Sequence, residues 1–328
     1  MVFLKINQLT DSKRFRWIKF AVENFYVLKT PGTITAEESP IVGKIKDIAT
    51  LFKVRLTLLV VISAVLGYFM GVSVVRDMKL LVLIIGGFLL TGGSNGLNQV
   101  WEKEWDKLMT RTQNRPVPLG RMSPIEAIII SLVAGIAGIV LLWVFVNKAS
   151  GILGLFAFFS YVFLYTPLKR ITSLAVFVGA FPGAIPPMLG YVAGTNDFGL
   201  EAGLLFAMQF MWQFPHFWAI AWVAHEDYER GGYKLLPFNE GRTAKSAFQI
   251  FVYSLFLIPV SLLPWALPEA KPMVGNLAAI VALIAGLFMA FYAYKLYRSC
   301  DVKEARKLMF ASFFYLPIVQ LFYVIDKL

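Results

Sequence analysis

Apolar runs of about 20 residues recur nine times along the chain, separated by short polar stretches. A run of that length crosses the roughly 30 Å hydrocarbon core of a bilayer as a single α-helix. The pattern predicts spans at 56–75, 79–101, 123–146, 149–166, 172–194, 201–225, 246–268, 273–294 and 308–326. A soluble core absorbs a few such runs but not nine in succession, so the expected fold class is an all-α integral membrane protein with nine transmembrane helices. Gly135, Gly138, Gly179 and Gly183 lie inside the runs, where small residues let helix backbones approach. Residues 1–50 read as a polar N-terminal extension and residues 51–328 as the nine-helix domain.

Composition agrees with that pattern. The chain is 58% hydrophobic and 16% charged, where a soluble domain carries about 25% charged residues. The formal charge of +11 would suggest nucleic acid in a soluble protein, but its distribution says otherwise. With the spans above, 26 of the 31 Lys and Arg residues fall on one side and five on the other. That bias places the N-terminus in the cytoplasm and the C-terminus outside, with the lipid bilayer rather than nucleic acid as the partner. No aromatic–basic RNA motif is present. Cys300 alone excludes an intrachain disulfide and a thiol cluster, and two histidines, His216 and His225, argue against a multi-histidine metal centre. Residues 1–50 lack an uninterrupted apolar stretch of the secretory kind. Glu23, Glu37 and Glu38 weigh against a mitochondrial transit peptide, so a bacterial inner membrane is expected, with the mitochondrial inner membrane as the alternative. Residues 13–27 mix basic and aromatic side chains as an interfacial helix does, and 31–40 reads as a connector.

Three polar segments carry candidate chemistry, all on the basic side. In the stretch 94–118, Asn98, Glu102 and Asp106 are spaced i, i+4, i+8 and share one helix face within roughly 80°. Three oxygen donors where a span leaves the membrane suit Mg2+, which uses one or two carboxylates and completes its shell with water and phosphate. Arg111 and Arg115 follow, placed to grip phosphate oxygens. The competing reading is a solvated loop laced with ion pairs. The second segment, 164–173, holds Tyr165, Lys169 and Arg170 and reads either as a topological anchor or as more phosphate contact. The third, 209–237, places Asp227 just beyond a span, with Glu226 and Glu229 nearby and a Gly231–Gly232 turn after it. Asp227 is a candidate for a second metal. His216 lies inside the same span, either as a functional ionisable residue or as a bundle hydrogen-bonder.

Together these segments resemble one family, the protoheme IX farnesyltransferases (heme O synthases), a branch of the UbiA-type intramembrane prenyltransferases. The resemblance rests on NQVWEKEWDKLMTRTQNRPVP (98–118), YTPLKRIT (165–172) and FPHFWAIAWVAHEDYERGGYKLLP (214–237), with 52–71 similar to the family's first span. It extends over residues 50–326 and leaves out 1–45. It implies a UbiA-type bundle around a central cavity and transfer of farnesyl from farnesyl diphosphate to a vinyl group of protoheme IX (heme b). By the same resemblance Asn98, Glu102 and Asp106 hold Mg2+–diphosphate, and Asp227 supports a second metal. Arg111, Arg115, Lys169 and Arg170 bind phosphate oxygens, Tyr165 lines the reacting end, and His216 is a candidate contact to heme. Heme A synthase and oxidase assembly factors are the implied protein partners. Glu102 and Glu104 stand where the wider family also uses Asp, and the second motif has one Asp where quinone-type members have several. Phe214, Phe217, Trp218 and Tyr165 are candidates to face a developing farnesyl cation. A prenyltransferase of another acceptor, a transporter and a structural scaffold are the rival readings.

Overall fold

Polar residues at the ends of several apolar runs decide where the helix starts. Ser123, Asn147, Thr243 and Asp301 each accept a backbone N–H from the first turn that follows, at 3.1, 2.7, 3.2 and 3.0 Å, the N-cap arrangement that satisfies donors left without a helical partner. The computed structural model describes residues 39–75, 77–267 and 272–328. The interfacial helix expected over 13–27 lies outside them, as do most of the 31–40 connector, Arg76 and Lys271.

A short helix α1 (Pro40–Leu51) leads into α2 (Val54–Gly71), α3 (Asp77–Asp106), α4 (Pro124–Leu141), α5 (Lys148–Phe159), α6 (Ala175–Thr195) and α7 (Leu200–Val223). The six-residue α8 (His225–Arg230) precedes α9 (Ala244–Ala266), α10 (Asn276–Ser299) and α11 (Val302–Ile325). Widened π-helical turns, Leu142–Val146 and Ser160–Tyr165, extend α4 and α5. The second ends where Pro167, having no N–H, interrupts the ladder; Thr166 N–H and its hydroxyl both go to the Tyr161 carbonyl. Residues Lys44–Leu328 pack as one unit.

Eight described helical segments are long and apolar enough to cross a membrane. The ninth expected span, α7, is 24 residues long but carries Gln209, Gln213 and His216. Its environment explains the difference: α7 packs against α6, α9 and α11, and those three polar residues are buried. Boundaries also move. α3 runs to Asp106 rather than ending near 101, and α11 starts at Val302 behind its Asp301 cap rather than near 308.

The polar residues of α7 do structural work. Pro187 lacks the N–H that would bond the Gly183 carbonyl, and Gln209 Nε2 donates to that carbonyl at 2.7 Å. Gln209 Oε1 in turn accepts from Ser63 of α2 and Gln320 Nε2 of α11, both at 2.8 Å. Gln320 also donates to Ser63 Oγ at 2.9 Å, so one buried network joins α2, α6, α7 and α11. Two glycines let α2 and α6 touch through their backbones. A Cβ on Gly67 would overlap the Pro187 carbonyl, and one on Gly190 would overlap the Ala64 carbonyl. At the opposite end from the polar loops, Lys327 Nζ donates to the Phe69 and Val72 carbonyls at 3.0 and 2.6 Å, closing the C-terminal end of α2.

The backbone contact at Gly190 has no flexible side chain to yield. Gly190→Val should therefore destabilise the bundle by about 1–3 kcal/mol and lower the melting temperature in detergent. Gly203→Ala in α7, where a Cβ would meet nothing within 4 Å, should leave it unchanged.

Candidate active site

The last three turns of α3 carry Asn98, Glu102 and Asp106, and all three side chains face into protein. Their residues are 1%, 4% and 0% exposed, whereas the Glu104 side chain is 60% exposed and pairs with Lys107. This contrast excludes the solvated-loop reading for the first three and supports it for Glu104. A carboxylate so buried needs cationic or hydrogen-bonding partners, and each has one from a different segment. Lys169, just past the end of the α5 segment, ion-pairs with Glu102. Arg115 Nη1 donates to Asp106 Oδ2 at 2.6 Å. Lys53, immediately before α2, donates to Asn98 Oδ1 at 2.9 Å, while Asn98 Nδ2 donates to Thr166 at 3.2 Å.

Local structure delivers these groups. The 107–123 loop folds back as successive turns, and Thr112 Oγ1 donates to the Asp106 carbonyl at 2.9 Å, which brings Arg115 over the carboxylate. Lys169 is held by its own backbone, since Lys234 N–H donates to the Lys169 carbonyl at 2.8 Å. Burial disfavours the Lys169 ammonium, but Glu102 beside it outweighs that and holds its pKa above the ordinary lysine value. Burial, with Arg115 next, pushes Lys53 the other way, well below the ordinary value. The Lys169 ammonium also lies 4.8 Å from the Tyr165 ring centroid and 5.7 Å from that of Tyr233. Gly179 makes room for Tyr165: a Cβ there would sit 2.5 Å from the ring. Arg170 stacks on Trp105 at 4.2 Å.

Asp227 belongs to the same end of the bundle but has a different set of partners. Its two carboxylate oxygens accept the backbone N–H groups of Thr110 and Arg111, both at 3.1 Å, and Arg230 ion-pairs with it. Arg111 Nη2 donates to Tyr228 Oη at 3.0 Å. Asp227 and Arg111 thus clasp the loop after α3 to the loop after α7. Among the described residues, no three His, Cys, Asp or Glu side chains converge as a protein-only metal cage. Mg2+ does not need one when substrate phosphates complete its shell. The residues present fit it, because Asp106 Oδ1 is buried without a hydrogen-bond partner, one helical turn beyond the buried Glu102 carboxylate on the same face.

His216 packs elsewhere in α7. It stacks on Trp212 at 4.2 Å, meets Phe313 edge-on, and its Nδ1 lies 2.8 Å from Ser312 Oγ. Ser312 spends its proton on the Met309 carbonyl at 2.7 Å, so the ring donates through Nδ1–H and leaves Nε2 as an acceptor. Phe214 and Trp218 form an aromatic group with Tyr253. A cavity of about 230 Å³ opens between α3 and the end of the α5 segment, lined by Trp101, Glu102, Trp105, Thr166, Arg170 and Tyr233. It joins buried charge to exposed apolar Trp101 and Ile171, as an amphipathic ligand requires. A larger cavity of about 570 Å³ lies under the 225–242 loop, and Tyr233 lines both.

Residues 60–316 match the UbiA prenyltransferase family. The chain belongs to this family. It is 44% identical over 291 residues to the protoheme IX farnesyltransferase of Flavobacterium psychrophilum, covering 88% of this chain and 96% of the relative. To that of Cytophaga hutchinsonii it is 46% identical over 279 residues, covering 85% and 96%. Its fold matches a solved digeranylgeranylglyceryl phosphate synthase with a TM-score of 0.72 at 20% identity, over 87% of this chain and 98% of that one. A UbiA homologue from Archaeoglobus fulgidus bound to GPP and Mg2+ matches with a TM-score of 0.61 at 12% identity, over 85% and 99%.

Within the UbiA bundle, the α3 face, Lys169 and Arg115 come together at one point, with Arg170 and Tyr165 alongside. Arg111 and Asp227 stand one layer out, as a loop clasp, and His216 contacts none of these charged groups among its described partners. Sequence reasoning missed Lys53, Thr166 and Tyr233. Lys53 carried one usable signal, a cation at the very edge of an apolar span, but it was indistinguishable there from the other basic residues that set topology.

The clasp has a pH signature. Burial alone would raise the Asp227 pKa, but the Arg111 N–H, Arg230 and the Thr110 N–H outweigh it and hold it below the ordinary value. A folded-state pKa below the unfolded one means the clasp is at full strength above about pH 4 and weakens as pH falls through the folded value. Amide exchange at Thr110 and Arg111 should therefore accelerate in acid, after correction for intrinsic rates, and Asp227→Asn should show the fast exchange at neutral pH.

Proposed function

We propose that the chain transfers the farnesyl group of farnesyl diphosphate to a vinyl group of protoheme IX, with Asn98, Glu102 and Asp106 forming the metal–diphosphate site. The observation that carries the site is the convergence of two buried carboxylates and three cations where the bundle meets water. The homologous protoheme IX farnesyltransferases carry the choice of acceptor. The bacterial sources of these relatives favour a cell membrane, with the polar end of the bundle in the cytoplasm.

A bound Mg2+ would supply charge neutralisation that makes diphosphate a better leaving group; Asp106, Glu102 and Asn98 are the residues that would hold the metal–diphosphate. Lys169, Arg115 and Arg170 receive phosphate oxygens, exchanging internal ion pairs for pairs to the substrate, and they stabilise the charge that grows as the carbon–oxygen bond of the allylic diphosphate breaks. Asp227 and Arg111 keep the Arg115 loop in place. Cation–π attraction of about 0.5–2 kcal/mol per ring from Tyr165, and from Phe214, Phe217 and Trp218 where the prenyl chain reaches them, favours the allylic cation. The vinyl π-electrons form the new carbon–carbon bond, water adds to the remaining cationic vinyl carbon and loses a proton, and diphosphate leaves. The Nε2 acceptor of His216 is offered to the heme iron or to a group that donates a hydrogen bond.

Asp106→Asn keeps shape and removes one charge. Turnover of farnesyl diphosphate and heme b to heme O should fall by about a hundredfold or more, read by pigment chromatography and mass, with membrane insertion intact. Near-normal turnover would remove Asp106 from the site. Expression in a host lacking heme O activity should restore that pigment, and a farnesylated product of another acceptor would redirect the reading.

A further inference from the structure

Cations at the polar end of the bundle are for the most part matched by carboxylates. Lys107, Arg115, Arg121, Arg230, Arg242 and Lys245, in and beside the loops that follow α3 and α7, each pair with an Asp or Glu. The α10–α11 hairpin, at the same end, departs from this. Lys295 and Arg298 stand on the last two turns of α10, and Lys303 and Arg306 on the first two of α11. All four are exposed, and among the described residues none has a carboxylate within ion-pair distance. Arg298 Nη1 donates to Tyr294 Oη at 3.3 Å, and the Lys295 ammonium lies 4.8 Å from the Phe291 ring centroid. The two acids of the hairpin are committed to other groups. Asp301 Oδ1 caps α11 by accepting the Lys303 N–H at 3.0 Å, and Glu304 Oε1 accepts from Lys307 at 2.7 Å.

Two ordinary roles leave part of this cluster unexplained. Cations near the C-terminus of α10 balance its dipole, but Lys303 and Arg306 stand at the N-terminal end of α11, where the dipole repels them. Fixing topology needs positive charge on this side of the bilayer but no shortage of counter-charge, as the paired loops show. Beside the four cations runs an exposed aromatic strip, Phe288, Phe291 and Tyr294 on α10 and Phe314 on α11. Cationic heads at the rim of such a strip match a molecule with an anionic head group and apolar tails, already dissolved in the bilayer. An acidic protein segment would meet the charges but not the strip. We propose that the α10–α11 hairpin binds an anionic phospholipid, with Lys295, Arg298, Lys303 and Arg306 around its phosphate and Phe291 and Tyr294 along its acyl chains. The contacts that Arg298 and Lys295 make to the rings leave further N–H donors for phosphate oxygens, five being available on a guanidinium and three on an ammonium. The surface is separate from the Glu102–Asp106 site and does not rest on the prenyl-transfer reading.

The test is native mass spectrometry of the detergent-purified full chain, equilibrated with equal amounts of dioleoylphosphatidylglycerol and dioleoylphosphatidylcholine. Wild type should retain the anionic lipid over the zwitterionic one by about tenfold. A cation near an anionic surface is worth about fivefold, so Lys295→Gln with Arg298→Gln should bring the ratio close to one. Lys303→Gln with Arg306→Gln should do the same, and reads the ratio if the first pair does not fold. Lys295→Arg with Arg298→Lys, which keeps both charges, should hold the wild-type preference. Lys245→Gln removes an equally exposed cation that pairs with Glu240 and should leave the ratio unchanged. A wild-type ratio near one overturns the assignment, as does a ratio that survives both neutralised pairs or falls as far in Lys245→Gln. Displacement of the lipid by excess inorganic phosphate overturns the acyl-chain contact and leaves a bare phosphate site. A polyglutamate peptide retained in preference to the lipid would assign the hairpin to an acidic protein segment instead.

Discussion

An ionised carboxylate at the mouth of an apolar bundle persists only beside a positive charge, and this constraint organises the polar end of the molecule. Glu102 and Asp106 lie on one helix, and their partners Lys169 and Arg115 come from the end of another span and from a folded loop. Each ion pair therefore also fixes a tertiary contact. Breaking such a pair by removing one partner typically costs about 3–5 kcal/mol, because the remaining charge is stranded. The same pairs keep the site open to exchange, since the attraction that holds Lys169 to Glu102 is equally available to a phosphate and a metal ion.

Below that layer the bundle is held by a different device. Pro187 in α6 withdraws the helix donor of the Gly183 carbonyl, and Gln209 of α7 takes that carbonyl at 2.7 Å, while Gln213 adds a bond to the Ala180 carbonyl at 2.9 Å on the face that packs against α7. In a bilayer no water is present to satisfy such groups, so α7 carries polar side chains that a lipid-facing helix could not. Gly67 and Gly190 remove the side chains that would separate α2 from α6. The result is a rigid frame on which the 107–123 and 223–244 loops are clasped by side-chain-to-backbone bonds, Asp227 to Thr110 and Arg111 being the clearest.

Chemistry and fold meet at Tyr233 and Tyr165. Both rings lie against the Lys169 ammonium that pairs with Glu102, which lines the cation with aromatic faces. Burial, with Glu102 next, raises the Tyr233 hydroxyl above the ordinary tyrosine range, so it stays protonated and able to donate. Tyr233 follows the Gly231–Gly232 turn, where Gly232 has φ +70° and lies against Arg170. A side chain that lines both cavities is thus mounted on a turn that glycine makes accessible.

Much of this was legible in the chain itself. Runs of about 20 apolar residues have one stable form in a bilayer, so the spans and the crowding of cations at one end follow from local composition. Spacing of i, i+4, i+8 on a helix places Asn98, Glu102 and Asp106 on one face wherever the helix goes. Tertiary structure alone decided the partners. Asp227 read as a metal ligand because an acid beyond a span looks like one, yet its oxygens close on amides 116 and 117 positions away. Lys53 read as one topological cation among many, yet it reaches Asn98 across 45 positions. α7 read as one more apolar run, and only the folded bundle shows that its polar residues are buried where α6, α9 and α11 pack against it. Periodicity is a property of neighbours along the chain, whereas the choice of partner for a buried charge depends on which distant group the folded bundle brings within hydrogen-bond reach.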